Sequence, residues 1–200
     1  MTKIKICGLK SEEDISYVNE LQPDYVGFVF LKGRARYISP ARAAHLRKLL
    51  DPHIPAVGVF VNEPVENVIS LLQEGTIQMA QLHGDEGVDY FNTLRSCCPH
   101  PVIKAFIVKT ADDIKRALMY PSDYLLLDNG LGSGETFDWS LIRNMKRPFF
   151  LAGGLSSENV SDAIKAIQPY AVDVSSGVET EGKKDYEKIK KFIHTVRDKT

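Results

Sequence analysis

A cysteine and an aspartate stand where the sequence could use them to move protons. Cys7 ends the strand-like run Lys3–Cys7 and precedes Gly8, and Asp128 closes the apolar run Tyr124–Leu127. A deprotonated thiol can act as a general base, and a partly buried carboxyl group can act as a general acid because burial raises its pKa. These residues are therefore candidates for a catalytic base and acid.

Each of the two has a simpler structural interpretation. An isolated cysteine in a strand is most often a small buried hydrophobe, and an aspartate at the end of a strand often only caps the next turn. Lys5 precedes Cys7 by two residues and so faces the same side of a strand. A nearby cation lowers the pKa of a thiol, and we therefore expect a lowered pKa for Cys7.

Two segments rich in glycine and serine could bind an anion. They are Gly153-Gly154-Leu155-Ser156 and Ser175-Ser176-Gly177. Glycine lets backbone N–H groups approach a phosphate, serine adds hydroxyl donors, and the start of a helix supplies a favourable dipole. Either segment alone would usually be only a turn. As a pair they predict a phosphate site.

Four further polar residues complete the candidate site. Arg36 could hold a carboxylate with its planar guanidinium, whereas for Arg34 we favour a solvated surface side chain. His83 ends a strand-like run and is expected to line the pocket. Lys5 and Asp173 both point inward in the predicted sheet, and because an unpaired buried charge is costly we expect them to form a polar network.

Short β-branched runs alternate along the chain with longer amphipathic stretches. This pattern is typical of a parallel sheet covered by helices, and it predicts the elements that position the candidate residues. The predicted strands are Lys3–Cys7, Tyr25–Phe30, Ala56–Val61, Met79–His83, Val102–Ile107, Tyr124–Asp128, Phe149–Ala152 and Ala171–Ser175. The predicted helices are Ser11–Leu21, Pro40–Leu50, Pro64–Glu74, Gly87–Ser96, Ala111–Met119, Trp139–Met145, Ser156–Ile167 and Asp185–Arg197.

Eight strand-helix units predict a closed (β/α)8 barrel of the TIM type, in a single catalytic domain covering residues 1–200. An open doubly wound sheet usually has fewer strands. In such barrels the active site lies at the C-terminal ends of the strands, and phosphate often binds after strands seven and eight. The candidate residues occupy these positions.

Composition excludes other classes of function. The net charge is −1 and the pI is about 6.5. These values argue against nonspecific electrostatic binding to nucleic acid or to a membrane surface. The N-terminus lacks the apolar run of a signal peptide, so we expect a cytoplasmic protein. Cys7, Cys97 and Cys98 have no metal-ligand spacing, and we expect no metal and no role for the last two.

Several segments, taken in order, carry a specific resemblance. They are Lys5-Ile6-Cys7-Gly8, Gly27-Phe28-Val29-Phe30, Arg36-Tyr37-Ile38-Ser39, Val57-Gly58-Val59-Phe60-Val61, Gln81-Leu82-His83-Gly84-Asp85-Glu86, Phe137-Asp138-Trp139, Leu151-Ala152-Gly153-Gly154-Leu155 and Val172-Asp173-Val174-Ser175-Ser176-Gly177-Val178-Glu179. Together they make the chain resemble phosphoribosylanthranilate isomerase, the family that acts in tryptophan biosynthesis. The family commonly has Gly-Gly-Thr-Gly after the strand-six aspartate, whereas this chain has Leu131-Gly132-Ser133-Gly134.

The resemblance implies a cofactor-free Amadori rearrangement of N-(5-phosphoribosyl)anthranilate to the corresponding 1-amino-1-deoxyketose phosphate. It implies that Asp128 protonates the ring oxygen of the sugar and that Cys7, as thiolate, removes the proton on C2. It further assigns the substrate carboxylate to Arg36, the phosphate to Gly154 and Ser176, and the pocket wall to His83 and Asp173. The neighbouring Gly153, Ser175 and Gly177 complete the predicted phosphate site.

Three alternatives stay open at this point. The chain could be the related histidine-biosynthetic sugar isomerase, although that enzyme is expected to have an aspartate in place of Cys7. It could be a Schiff-base aldolase that uses Lys104, or a non-catalytic barrel that binds phosphosugars. We expect a small-molecule phosphosugar-anthranilate partner, and a monomer or a homodimer.

Overall fold

The computed structural model describes residues 1–128, 139–142 and 145–198. Eight parallel strands close into a barrel in chain order, because β1 pairs with both β2 and β8. The strands are β1 Lys3–Cys7, β2 Tyr25–Val29, β3 Ala56–Phe60, β4 Met79–Leu82, β5 Val102–Ile107, β6 Tyr124–Asp128, β7 Phe149–Leu151 and β8 Ala171–Val174. The predicted (β/α)8 barrel is confirmed.

Helices surround the barrel in the described part of the chain. They are α1 Glu12–Leu21, α2 Pro40–Leu49, α3 Val65–Gln73, α4 Val88–Cys97, α5 Ala111–Met119, α6 Val160–Ile167 and α7 Tyr186–Arg197, with short 3₁₀ helices at Trp139–Ile142 and Ser176–Val178. A capping box begins α1: Ser11 Oγ accepts a hydrogen bond from the N–H of Asp14, whose carboxylate accepts one from the N–H of Ser11. A hairpin of β9 Glu179–Thr180 and β10 Lys183–Lys184 follows β8.

The structure corrects two predicted helices. The helix expected from Ser156 begins at Val160, because the side chain of Asn159 binds back to the preceding turn. Its Oδ1 accepts from the N–H of Ser156 (2.9 Å), and its Nδ2 donates to the carbonyl of Gly154 (2.8 Å). In place of the helix Trp139–Met145 there is a single 3₁₀ turn, Trp139–Ile142, and residues 143–144 lie outside the described range.

Strand alternation separates two cores. On β1, Ile4 and Ile6 belong to the large apolar cluster between the strands and the helices, so Lys5 and Cys7 face the barrel interior. A second cluster fills the interior and contacts Tyr25, Tyr124 and Tyr170. Its members are Val57, Met79, Ile103, Ala105, Leu126, Phe150, Ala152 and Ala171. Toward the C-terminal ends of the strands, the inward positions beyond this cluster include polar residues such as Lys5, Gln81 and Asp173 as well as Val29 and Val59.

Lys104 of β5 forms a buried ion pair outside the central cavity. Its Nζ lies 3.0 Å from Oε2 of Glu86, and both residues are at most 5% exposed. Glu86 also accepts from the backbone N–H groups of Asn62 (2.7 Å) and Gly84 (2.9 Å). A Schiff-base aldolase would need Lys104 in the central cavity as a nucleophile. Its outward direction and its carboxylate partner argue against that alternative.

Replacing Glu86 with alanine should lower the free energy of unfolding by about 3–5 kcal/mol, because it leaves the Lys104 ammonium buried without its carboxylate. Urea denaturation followed by circular dichroism measures the change. The matched control is Lys115→Ala, which removes an exposed ion pair with Asp112 and should cost under about 1 kcal/mol. Equal stability of Glu86→Ala and the wild type would contradict a structural role for this pair.

Candidate active site

One cavity of about 480 Å³ opens at the C-terminal ends of the strands, and both Cys7 and Asp128 line it. The other predicted site residues that line it are Arg36, His83, Gly153, Gly154, Asp173, Ser175 and Ser176. Gly177 is not among the lining residues. It packs against the neighbouring loop instead, since a Cβ at this position would lie 1.9 Å from the carbonyl oxygen of Leu155. The structure thus brings together predicted residues from six separate segments.

Cys7 is held closely by its neighbours. The residue is only 8% exposed, and its β2 neighbour is Gly27, where a Cβ would approach Sγ of Cys7 to 2.6 Å. The hydroxyl of Ser175 donates to the carbonyl of Cys7 at 3.0 Å. Glycine at position 27 therefore leaves the space that the thiol occupies.

The expected lowering of the Cys7 pKa was wrong for the ligand-free structure. Burial raises the pKa of the thiol, and this effect outweighs the lowering by the positive charges of Lys5 and Lys184. Asp173 adds to the rise through its negative charge. Without substrate, the thiolate fraction at neutral pH is therefore below that of a free cysteine.

The expected network of Lys5 and Asp173 is confirmed. Nζ of Lys5 is fully buried and lies 2.7 Å from Oδ2 of Asp173 and 2.7 Å from Oε1 of Gln81. The other oxygen of Asp173, Oδ1, is buried with no hydrogen-bond partner in the described part of the chain. Gln81 was not predicted to be a site residue, although its inward position two residues before His83 is a signal that could have found it.

His83 and Asp128 approach each other across β4 and β6. Nε2 of His83 lies 3.8 Å from Oδ2 of Asp128, and Nδ1 lies 2.9 Å from Nε2 of Gln81. Burial lowers the pKa of His83, with Lys5 and Lys104 acting in the same direction and Asp128 in the opposite one. The imidazole is therefore neutral at pH 7.

Arg36 is held by a carboxylate that sequence analysis missed. Its Nε and Nη2 donate to the two oxygens of Glu179 at 2.8 and 2.7 Å, and Nζ of Lys184 donates to the same carboxylate at 2.7 Å. These two cations keep Glu179 ionised: their hydrogen bonds and positive charges lower the pKa of its carboxyl group to about 2 despite burial. Gly8, with φ of 85°, leaves room for Arg36, because a Cβ there would lie 2.6 Å from Cδ of the arginine.

The two anion-binding candidates lie side by side at the cavity wall. Gly153 and Gly154 both have positive φ, 88° and 63°, which side chains rarely tolerate. Ser176 starts the 3₁₀ helix after β8. Arg34, predicted to be a solvated surface residue, is exposed but reaches the edge of the cavity. The segment Leu131-Gly132-Ser133-Gly134, with Phe137 and Asp138, lies outside the described residues.

Comparison with known proteins matches this geometry to one family. The family model of N-(5'-phosphoribosyl)anthranilate isomerase matches residues 4–195. The chain belongs to the phosphoribosylanthranilate isomerase family. It is 47% identical over 204 residues to the phosphoribosylanthranilate isomerase of Thermoanaerobacter pseudethanolicus, covering 98% of each chain. It is 42% identical over 200 residues to that of Streptococcus mutans, covering 98% of this chain and all of the relative.

Solved structures agree. The crystal structure of phosphoribosylanthranilate isomerase from Thermotoga maritima superposes with a TM-score of 0.91 at 42% identity, over 99% of this chain and 100% of the other. A phosphoribosylanthranilate isomerase in complex with reduced 1-(o-carboxyphenylamino)-1-deoxyribulose 5-phosphate gives 0.89, at the same identity and coverage. A 3-hexulose-6-phosphate synthase from Salmonella typhimurium shares 14% identity at a TM-score of 0.76, which is a likeness of fold alone.

The described residues contain neither a membrane-spanning helix nor a metal-binding cluster. None of their helices combines the length and the apolar character needed to cross a membrane. Within the same residues, no three or more His, Cys, Asp or Glu side chains cluster as a metal site would require.

Replacing Lys184 with methionine should raise the pKa of Cys7 further, because it removes one of the positive charges that favour the thiolate. The pH dependence of Cys7 alkylation by iodoacetamide, quantified by mass spectrometry of its peptide, gives the midpoint. Lys183→Met removes an exposed charge one residue away and serves as the control. A midpoint that stays in place or falls in Lys184→Met would show that Lys184 does not act on the thiol.

Proposed function

We propose that this chain isomerises N-(5'-phosphoribosyl)anthranilate to 1-(2-carboxyphenylamino)-1-deoxyribulose 5-phosphate, with Cys7 as general base and Asp128 as general acid. The observation that carries the proposal is that a thiol and a carboxyl group line one cavity beside two glycine- and serine-rich segments, in a chain of the phosphoribosylanthranilate isomerase family. A relative bound to a reduced form of this product supports the choice of substrate.

The rearrangement proceeds by ring opening, removal of the C2 proton and a final tautomerisation. Asp128 donates its proton to the ring oxygen of the furanose, the C1–O bond breaks, and the nitrogen lone pair forms a protonated Schiff base at C1. Cys7 then removes the proton on C2, and the electrons of that C–H bond move toward the iminium to give an enolamine. Loss of the proton from the C2 hydroxyl and protonation of C1 give the ketose. The carbon skeleton is isomerised without net oxidation, so no external redox partner enters the balance.

The raised pKa of Cys7 in the ligand-free structure is compatible with its role as base. The protonated Schiff base places a positive charge next to the thiol, and an opposite charge at short range favours the thiolate. Lys5 and Lys184 already act in that direction. The base is thus formed mainly when the substrate cation is present.

Substrate orientation follows from charge and from hydrogen-bonding capacity. Glu179 occupies the edge of the Arg36 guanidinium formed by Nε and Nη2, so the edge formed by Nη1 and Nη2 is the one directed at the anthranilate carboxylate. Gly153, Gly154, Ser175 and Ser176 form the phosphate side of the cavity, and Gly177 packs behind them against Leu155. His83 and Asp173 line the wall between the two ends, within reach of the sugar hydroxyls.

We also propose that residues 1–200 act as one catalytic domain in the cytoplasm, as a monomer or a homodimer. The dimeric phosphoribosylanthranilate isomerase of Thermotoga maritima supports the dimer. Light scattering of the purified chain measures its mass in solution.

Cys7→Ser and Asp128→Asn should each lower kcat by about 100-fold or more, because each removes a proton-transfer group. The fluorescence of the anthranilate moiety follows turnover. Cys97→Ser, which changes an exposed thiol, is the control. A wild-type protein that binds the substrate and never converts it would favour the non-catalytic binder. Turnover of the histidine-pathway aminoaldose in its place would favour the other isomerase.

Arg36→Met should raise KM by about 10- to 100-fold, because the substrate carboxylate loses a hydrogen bond to a charged group. Such a bond contributes about 1.5–3 kcal/mol. Steady-state kinetics at saturating and limiting substrate separate this effect from a change in kcat. Arg42→Met removes an exposed arginine that pairs with Glu12 and is the matched control. If KM is the same in both variants, Arg36 does not hold the substrate carboxylate.

A further inference from the structure

A line of polar side chains crosses the interior of the barrel beneath the cavity. It starts at Asp173 on β8 and passes through Lys5 on β1 to Gln81 on β4, with 2.7 Å at each contact. From Gln81 it continues to His83 (2.9 Å) and toward Asp128 on β6 (3.8 Å). Because β1 and β4 are not neighbours in the sheet, Gln81 connects the Cys7 side of the barrel with the Asp128 side.

Lys5 determines which way the Gln81 amide faces. An ammonium group only donates hydrogen bonds, so the atom of Gln81 at 2.7 Å from Nζ must be the carbonyl oxygen Oε1. The amide nitrogen Nε2 then faces His83, and an amide NH₂ only donates. Reversing the amide would set two donor groups against each other at Lys5.

This orientation determines the tautomer of His83. Because Nε2 of Gln81 donates to Nδ1, that ring nitrogen must be unprotonated, and the single proton of the neutral imidazole lies on Nε2, the atom nearest Asp128. An imidazolium would carry a proton on Nδ1, directed at the NH₂ group of Gln81. The charged groups that face His83 are Asp128, Lys5, Asp173 and Lys104, and burial together with the two lysines favours the neutral ring.

A neutral His83 matters for the acid. An imidazolium 3.8 Å from Asp128 would hold that residue as a carboxylate, which cannot donate a proton. A neutral ring with its proton on Nε2 instead places no positive charge beside Asp128 and directs an N–H donor toward its carboxyl group.

We propose that Gln81 is a positioning residue: anchored by Lys5, it keeps His83 neutral with the proton on Nε2, and thereby allows Asp128 to act as the acid. The inference rests on the proposed function, since it concerns the acid of that reaction. Gln81 acts on this acid through His83.

The first test needs no turnover. Two-dimensional ¹⁵N–¹H spectra of the protein labelled at its histidine side chains distinguish the two neutral tautomers and the imidazolium, and His83→Gln assigns the signal. At pH 7 we expect His83 to be neutral with its proton on Nε2. A proton on Nδ1, or an imidazolium at this pH, would overturn the inference.

The second test reverses the hydrogen bond at Nδ1. Gln81→Glu places a carboxylate of nearly the same shape between Lys5 and His83, and a carboxylate accepts from Nδ1–H. We expect the pKa of His83 to rise and its tautomer to change. We expect kcat to fall by about tenfold or more, because part of the rate contribution of a positioned acid is lost, while KM changes less. Gln73→Glu adds the same charge at an exposed end of α3 and is the control.

The outcomes separate this inference from the proposed function. A wild type without isomerase activity refutes the proposed function, whatever the tautomer. An active wild type in which Gln81→Glu shifts neither the His83 spectrum nor kcat refutes the inference alone. If Gln81→Glu does not fold, Gln81→Met removes the amide without adding charge: a mixture of His83 tautomers supports the inference, and an unchanged single tautomer overturns it.

Discussion

The buried ion pair between Lys5 and Asp173 is the constraint on which the rest of the site depends. A fully buried ammonium is costly unless carboxylate and amide oxygens surround it, so the two strands that carry the pair must stay in register. That register closes the barrel between β1 and β8 and places Cys7 directly above the charge. The same ammonium orients Gln81 and contributes to the electrostatics of the thiol, so one interaction links closure of the sheet to the chemistry at its end.

The two-residue period of a strand explains how one segment serves both packing and catalysis. On β1 the outward Ile4 and Ile6 pack under the helices, while the inward Lys5 and Cys7 build the site. A slip of one residue would exchange the two sets, burying charge against the helix layer and exposing isoleucine to the cavity. Lys104 illustrates the distinction: its outward direction gives it a structural carboxylate partner instead of a place in the cavity.

Burial and nearby charges have opposing effects on the ionisable groups of the cavity. Burial disfavours the thiolate, whereas Lys5 and Lys184 favour it. Near the thiol, Glu179 neutralises part of the charge of Arg36 and Lys184, so these two cations can lie close together without strong repulsion. The substrate brings a carboxylate, a phosphate and a developing iminium into the cavity. These charges change the protonation equilibria of the groups beside them, so the reactive protonation states are reached on binding.

Much of this could be predicted from the sequence. Residue type and alternation placed the strand bounds within one residue and, with them, the inward thiol and carboxyl group, because both signals are local. Gly27 beside Cys7, Glu179 on Arg36 and Gln81 between Lys5 and His83 required the folded chain, since these contacts join residues that are distant in sequence. The same holds for the direction of the Cys7 pKa shift. That shift is the net result of burial, which raises the pKa, and of several nearby charges. One of these charges is on Lys184, near the opposite end of the chain, so only the tertiary structure determines the relative sizes of the effects.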